Sequence, residues 1–160
     1  MEKEIVFVLL DDFADWEAAF LAPALRAGTM PGRPASYGVK YMTPDGRPVR
    51  SIGGLRAAAD CDASALPEAC AGLILVGGMQ WQSEAAQRIV PLVGEALARG
   101  IVVGAICTAV SFMAAHGFLN GERRTGRTLG VEERCKSGAG QTTRARSSTR
   151  SACPGATASS

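Results

Sequence analysis

Residues 101–117 read IVVGAICTAVSFMAAHG, and this stretch decides the fold. Ile101–Ile106 is an apolar run of the kind expected in a strand buried on both faces. Thr108–His116 reads as a helix closed by Gly117. Cys107 stands alone between them. A strand that passes straight into a helix is the joint of a parallel α/β unit.

The pattern repeats on the N-terminal side. Gly72–Val76 (GLILV) is a second buried strand, ended by Gly77-Gly78. Ser83–Arg99 reads as helical, with Ile89, Leu92, Val93, Ala96 and Leu97 on one face and a break marked by Pro91. Glu4–Leu10 (EIVFVLL) is a third buried strand, followed by Asp11 and Asp12 as loop and capping residues. Phe13, Trp16, Phe20, Leu21 and Ala24 then recur at helical spacing, and Pro23 is expected to kink or shorten that helix. Tyr37–Thr43 alternates like a strand, Pro44-Asp45-Gly46 is a turn, and a short strand is expected near Val49–Ile52. Asp60–Pro67 reads as irregular. Strands alternating with helices imply a flavodoxin-like α/β sandwich, a parallel sheet with helices on both faces. Sites in such folds lie at the carboxyl ends of the strands.

With 160 residues, 47% of them hydrophobic and 20% charged, the chain has the make-up of one globular domain. No apolar run approaches the roughly 20 residues of a membrane span. Acidic residues flank the first apolar run, unlike a secretory leader, so a cytoplasmic setting and free thiols are expected for the five cysteines. Residues 1–130 hold 12 Lys and Arg against 13 Asp and Glu, a balance that leaves no footprint for specific nucleic-acid binding. Zinc-ligand spacing, a P-loop and a dinucleotide fingerprint are absent from the sequence, so neither a metal nor a cofactor is expected. Cys61 and Cys70 stand nine positions apart without ligand spacing.

Residues 1–130 form the expected domain. Residues 131–160 differ in kind. Ser, Thr, Gly and Ala make up 18 of those 30 residues, and Val131 is their only branched aliphatic side chain. Such a segment buries too little apolar surface to offset its ordering entropy. It reads either as a disordered basic tail or as a frameshifted end; either way, the sheet keeps an uncovered edge or face that could serve as a homodimer surface.

Three features fall at the carboxyl ends of the strands. Cys107 sits on a strand-to-helix elbow, where the helix N-terminus favours its thiolate. Most free cysteines are buried and structural, and position alone leaves that reading open. Gly77-Gly78 can turn backbone N–H groups into the cleft and, with the N–H of Thr108, form an oxyanion hole; it can equally be a plain turn. Glu17, among the apolar residues Trp16 and Ala18, is either a solvated helix residue or a carboxyl of raised pKa able to hydrogen-bond a thiolate. His116, the chain's single histidine, reads as a helix-end residue rather than a base.

The strings EIVFVLLDDFADWE, LILVGG and VVGAICTAVSFMAAHGFLNG, in this order, resemble the DJ-1/PfpI superfamily of the class I glutamine-amidotransferase-like fold, over about residues 4–129. The resemblance implies a nucleophilic, oxidisable Cys107, a partner carboxyl in Glu17 and oxyanion donors at Gly78 and Thr108. It implies amidase, deglycase or hydratase-type chemistry on a small amide or carbonyl substrate. The alternatives it leaves are a thiol sensor in which Cys107 oxidises to sulfinate, and an inactive product. One departure concerns the base: Arg124 stands where the family commonly carries a histidine. The other is the loss of the family pattern near Leu129.

The tail is open to a direct check, because it contains Arg134, Lys136, Arg144, Arg146 and Arg150. Trypsin should remove it quickly while cutting the body slowly. A tail that resists cleavage would show that it packs.

Overall fold

The structure is a computed structural model that describes residues 2–28 and 37–120. The expected tail at 131–160, with Cys135 and Cys153, lies outside the described residues, as does Arg124.

Strand β1 (Glu4–Val8) is the centre of the molecule. Val6, Phe7 and Val8 are fully buried, which explains why its sequence is apolar at successive positions from Ile5 onward rather than at alternate ones. It pairs in parallel with β2 (Gly38–Thr43) on one side and with β6 (Cys70–Leu75) on the other. β6 pairs in parallel with β7 (Val102–Ala105), and β2 with the two-residue β5 (Cys61–Asp62). The sheet order is β5-β2-β1-β6-β7. The chain therefore leaves β1 first to one side and later returns to the other. The switch point falls between β1 and β6, where open α/β sheets form their crevice. Among the described residues β7 is one edge of the sheet, and its Val102 is 69% exposed.

Alternation along β1 divides the core in two. Val6 and Val8 join Leu73, Leu75, Ile89, Leu92, Val93, Ala109 and Phe112 on one face. That face is covered by α3 (Ile89–Ala98) and α4 (Thr108–Ala115), with the short α2 (Glu84–Gln87) beside them. Ile5 and Phe7 join Phe13, Ala18, Ala22 and Val49 on the other face, under α1 (Asp15–Ala27). These two layers around a parallel sheet are the α/β flavodoxin-like sandwich that the alternating pattern implies.

Four details differ from the sequence reading. α1 buries Ala18 and Ala22, whereas Trp16 and Phe20 are exposed at 57% and 82%. The small alanines let the helix lie close to the sheet, in a rotation that also brings Glu17 to Gly77. Pro23 does not end α1, which runs on to Ala27. The carbonyl that loses its partner belongs to Ala19, an exposed residue that water can satisfy. The break in the second helical stretch falls at Arg88 rather than at Pro91. Pro91 sits in the first turn of α3, where a missing N–H breaks no intrahelical bond. The stretch Asp60–Pro67, expected to be irregular, carries β5. A strand of two residues is too short to show a period.

A small antiparallel ribbon, β3 (Val49–Arg50) with β4 (Arg56–Ala57), is fastened over the end of β1. Asp11 Oδ1 accepts the Arg50 N–H at 2.9 Å, and the Asp12 N–H donates to the Arg50 carbonyl at 2.7 Å. Asp15, in the first turn of α1, accepts from the Ser51 hydroxyl and from the Gly53 N–H. Ser51 in turn pairs with Phe13, whose other side pairs with Gly78. The ribbon thus props the loop that carries the site.

The Ser51 hydroxyl first, and the Gly53 N–H next, hold the Asp15 carboxyl below its ordinary value of 3.8. Both donors favour the ionised form. A lowered folded-state pKa means a stabilising contribution that is present above the unfolded value and is lost as the pH falls through the folded one. Asp15→Asn should therefore be less stable than the wild type near neutral pH. The difference should fade below pH 3.8, as measured by urea unfolding at a series of pH values.

Candidate active site

Cys107 follows β7 and is the N-cap residue of α4, with φ 53° and ψ −123°. A cysteine in that region is strained, at a cost of about 1–3 kcal/mol, and persists only where its surroundings hold it. They do so here. The Ile106 N–H donates to the Leu75 carbonyl at 3.1 Å, and the Val110 N–H donates to the Cys107 carbonyl at 3.1 Å. The residue is exposed. It stands at the N-terminal end of α4, next to Thr108, the first residue of the helix.

The other described thiols sit differently. Burial pushes the Cys61 thiol up, with a partial offset from Lys40. Burial also pushes up Cys70, whose Sγ lies 3.4 Å from the Gly72 carbonyl.

Glu17 lies in the first turns of α1, half-buried. Its Oε2 accepts the Gly77 N–H at 2.6 Å, a charge-assisted bond. The Gly77 carbonyl accepts from the Ala14 N–H at 2.9 Å, so both polar groups of this peptide are tied to the start of α1. A Cβ placed on Gly77 would lie 2.6 and 2.9 Å from the two Glu17 carboxyl oxygens and 2.8 Å from Cys107 Cβ. Glu17 and Cys107, ninety positions apart, therefore meet over a glycine that has no room for a methyl group.

Gly78 has the same constraint from another side. A Cβ there would lie 2.5 Å from the Asp12 carbonyl oxygen and 2.8 Å from Phe13 Cα. Its N–H donates to Thr108 Oγ1 at 3.0 Å, and the same hydroxyl donates to the Gly78 carbonyl at 2.6 Å. The five residues Glu17, Gly77, Gly78, Cys107 and Thr108 are thus brought together.

His116 is not among them. Its Nδ1 lies 2.9 Å from the Phe112 carbonyl and its Nε2 lies 3.1 Å from Gln87 Oε1. It closes the far end of α4, about 13 Å along the helix from Cys107 at 1.5 Å per residue. Among the described residues no group of three or more His, Cys, Asp or Glu is placed to hold a metal ion.

Asp12 belongs to the surroundings of the site although its sequence marks it only as a loop residue. It has φ 56°, the one other non-glycine residue with positive φ among those described. Its carbonyl accepts the Met79 N–H at 3.1 Å and its Oδ2 accepts from Gln80 Nε2 at 2.9 Å. Aspartate visits this region more readily than most residues, and no motif signals it.

Comparison with known proteins agrees with this fold. The model of the DJ-1/PfpI family matches residues 3–150 and so continues past Leu129, where the pattern read from the strings ends. The protein named "Uncharacterized protease YdeA" of Bacillus subtilis is 32% identical over 124 residues, covering 78% of this chain and 59% of that relative. A second relative from the same organism, "Uncharacterized protease YoaZ", is 29% identical over 132 residues, 79% of this chain and 61% of its own length. The chain thus spans about three fifths of the curated relatives it matches. The crystal structure of the DJ-1 superfamily protein Atu0886 from Agrobacterium tumefaciens superposes with a TM-score of 0.70 at 35% identity, covering 82% of this chain and 68% of that one. A thiJ/pfpI family protein from Bacillus anthracis gives 0.71 at 26% identity, over 85% and 66%.

The contact over Gly77 has a measurable consequence. Gly77→Ala must push Glu17 and Cys107 apart, at about 1–3 kcal/mol for overpacking. Denaturant unfolding should register that loss. Alkylation kinetics should show Cys107 losing its advantage over the other thiols.

Proposed function

The chain belongs to the DJ-1/PfpI family, and on that premise we propose that it is a cysteine-dependent enzyme acting on small amide or carbonyl substrates, with Cys107 as nucleophile. The observation that carries this reading is the meeting of an exposed, strained Cys107 with the Glu17 carboxylate over Gly77. Strain of this kind gathers at functional sites, and the exposed elbow leaves the sulfur open to a reactant.

In the proposed reaction Glu17 accepts the thiol proton and the Cys107 sulfur adds to the substrate carbonyl carbon. The carbonyl π pair moves onto oxygen. The Thr108 N–H, free of any intrahelical acceptor, and the Gly78 N–H, once its present partner has moved, hold that oxyanion. The proton held by Glu17 then passes to the departing amine of an amide, or to the alkoxide of a simple carbonyl adduct. With His116 at the opposite end of α4, Glu17 is the residue beside Cys107 suited to carry the proton.

The names of the Bacillus subtilis relatives favour amide substrates within this class. A reduced, cytoplasmic setting suits a reaction that needs a free thiol. No helix among the described residues is long and apolar enough to cross a membrane.

A limiting amount of an alkylating reagent near neutral pH tests the assignment. Adduct mapping should find Cys107 modified first; prior modification of Cys61 or Cys70 rejects the elbow as the reactive site. Glu17→Ala should shift the pH dependence of Cys107 alkylation, whereas Glu17→Gln keeps a neutral hydrogen-bonding partner at Gly77. Identical profiles for the wild type and the alanine variant would remove Glu17 from the site.

A further inference from the structure

The loop after β6 behaves as a short piece of strand. The Gly77 carbonyl and the Met79 N–H turn toward the Asp12–Ala14 segment, where they bond the Ala14 N–H at 2.9 Å and the Asp12 carbonyl at 3.1 Å. Gly78 lies between them, and in extended chain the N–H and C=O of alternate residues face opposite sides. Its donor and acceptor therefore form one edge, turned away from Asp12 and toward the start of α4. One side chain fills that edge. Thr108 Oγ1 accepts from the Gly78 N–H at 3.0 Å and donates to the Gly78 carbonyl at 2.6 Å. Thr108 is exposed and adjoins Cys107 in the chain.

We propose that the Thr108 hydroxyl is a placeholder for substrate, and that it selects for a group carrying an acceptor and a donor on one edge. This rests on the reading of the Cys107 site as the place where substrate binds. To reach the Gly78 N–H, a ligand must displace a hydroxyl that satisfies the N–H and the carbonyl together. A ketone, an aldehyde or an ester replaces only the acceptor and leaves the Gly78 carbonyl without its donor. A primary carboxamide offers oxygen and N–H on the same side. One residue of an extended peptide offers the same pair, as an added strand does. Because Thr108 is exposed, its displaced hydroxyl can bond water, so the exchange is reversible. The residue acts by occupying the edge and takes no part in bond making.

Three thiol reagents read this preference at Cys107. Iodoacetamide carries the carboxamide edge, N-iodoacetylglycine dimethylamide carries the peptide-residue edge, and N,N-dimethyl-2-iodoacetamide carries a carbonyl with no donor. Each rate is divided by the rate of the same reagent with N-acetylcysteine. At least one donor-bearing reagent should exceed the donor-free one about two- to tenfold in the wild type, the range of one hydrogen bond. Which reagent gains tells carboxamide from peptide. Thr108→Val removes the placeholder at nearly constant shape, so a donor-free reagent then breaks no Thr108–Gly78 bond and the preference should narrow, while Thr108→Ser should restore the wild-type value. A normalised preference of one, or a preference that Thr108→Val leaves unchanged, overturns the inference while Cys107 remains the thiol that reacts first. If Cys107 reacts no faster than Cys61 and Cys70 with any reagent, the proposed function falls, and this inference with it.

Discussion

Gly77 is the point on which the site depends. Its amide is held by the Glu17 carboxylate, its carbonyl by the Ala14 N–H, and the Cβ of Cys107 stands 2.8 Å from where a Cβ of its own would lie. The end of β6, the start of α1 and the elbow before α4 are therefore packed around the space of one missing methyl group. Any residue larger than glycine separates the carboxyl from the thiol. The same contact is matched by the rotation of α1. With Glu17 drawn to Gly77, the helix turns Ala18 and Ala22 to the sheet and leaves Trp16 and Phe20 in water.

Strain is placed on both sides of this point. Asp12 and Cys107 are the two non-glycine residues with positive φ among those described, and they flank the Gly77-Gly78 loop. Neither conformation is favourable in isolation. Each is held by backbone bonds to neighbouring strands or to the β3–β4 ribbon, which Asp11 and Asp15 fasten in place. The rigid sheet below supplies the constraint. Phe7 and Val8, at the end of β1, are fully buried between two helical layers, and that strand cannot move without opening the core. The elbow at Cys107 is thus exposed in its side chain and fixed in its backbone, a combination that suits the nucleophile proposed for it.

Much of this was legible in the sequence, and for definite reasons. A strand buried on both faces is apolar at successive positions, so residues 5–8 and Cys70–Leu75 stand out as runs; Val102–Ala105 is equally apolar, although as an edge among the described residues it leaves Val102 exposed. Parallel strands need crossovers, so the helices between them imply the sheet. Sites in such sheets gather at the carboxyl ends, which placed Glu17, Gly77-Gly78 and Cys107 on one edge before any coordinates. The less legible parts are short or turn on direction. β5 has two residues and shows no period. The outward turn of Trp16 and Phe20 accompanies a tertiary contact of their helix, the bond from Gly77 to Glu17 sixty positions away. The tolerance of Pro23 depends on the exposure of Ala19.

By itself the sequence determined the alternation of strand and helix, the family resemblance and the residues that reach the cleft. These follow from local periodicity and from chemistry that each side chain carries wherever it stands. Tertiary structure alone decided how those residues use one another. The Glu17 carboxylate takes the Gly77 N–H, and the Thr108 hydroxyl takes both polar groups of Gly78. It also set His116 apart, bound to Phe112 and Gln87 at the far end of α4. The physical reason is range. Periodicity reports which face of an element is buried, within a few residues. A hydrogen bond between positions 17 and 77 forms only after β1 and β6 have paired in register and brought their ends together.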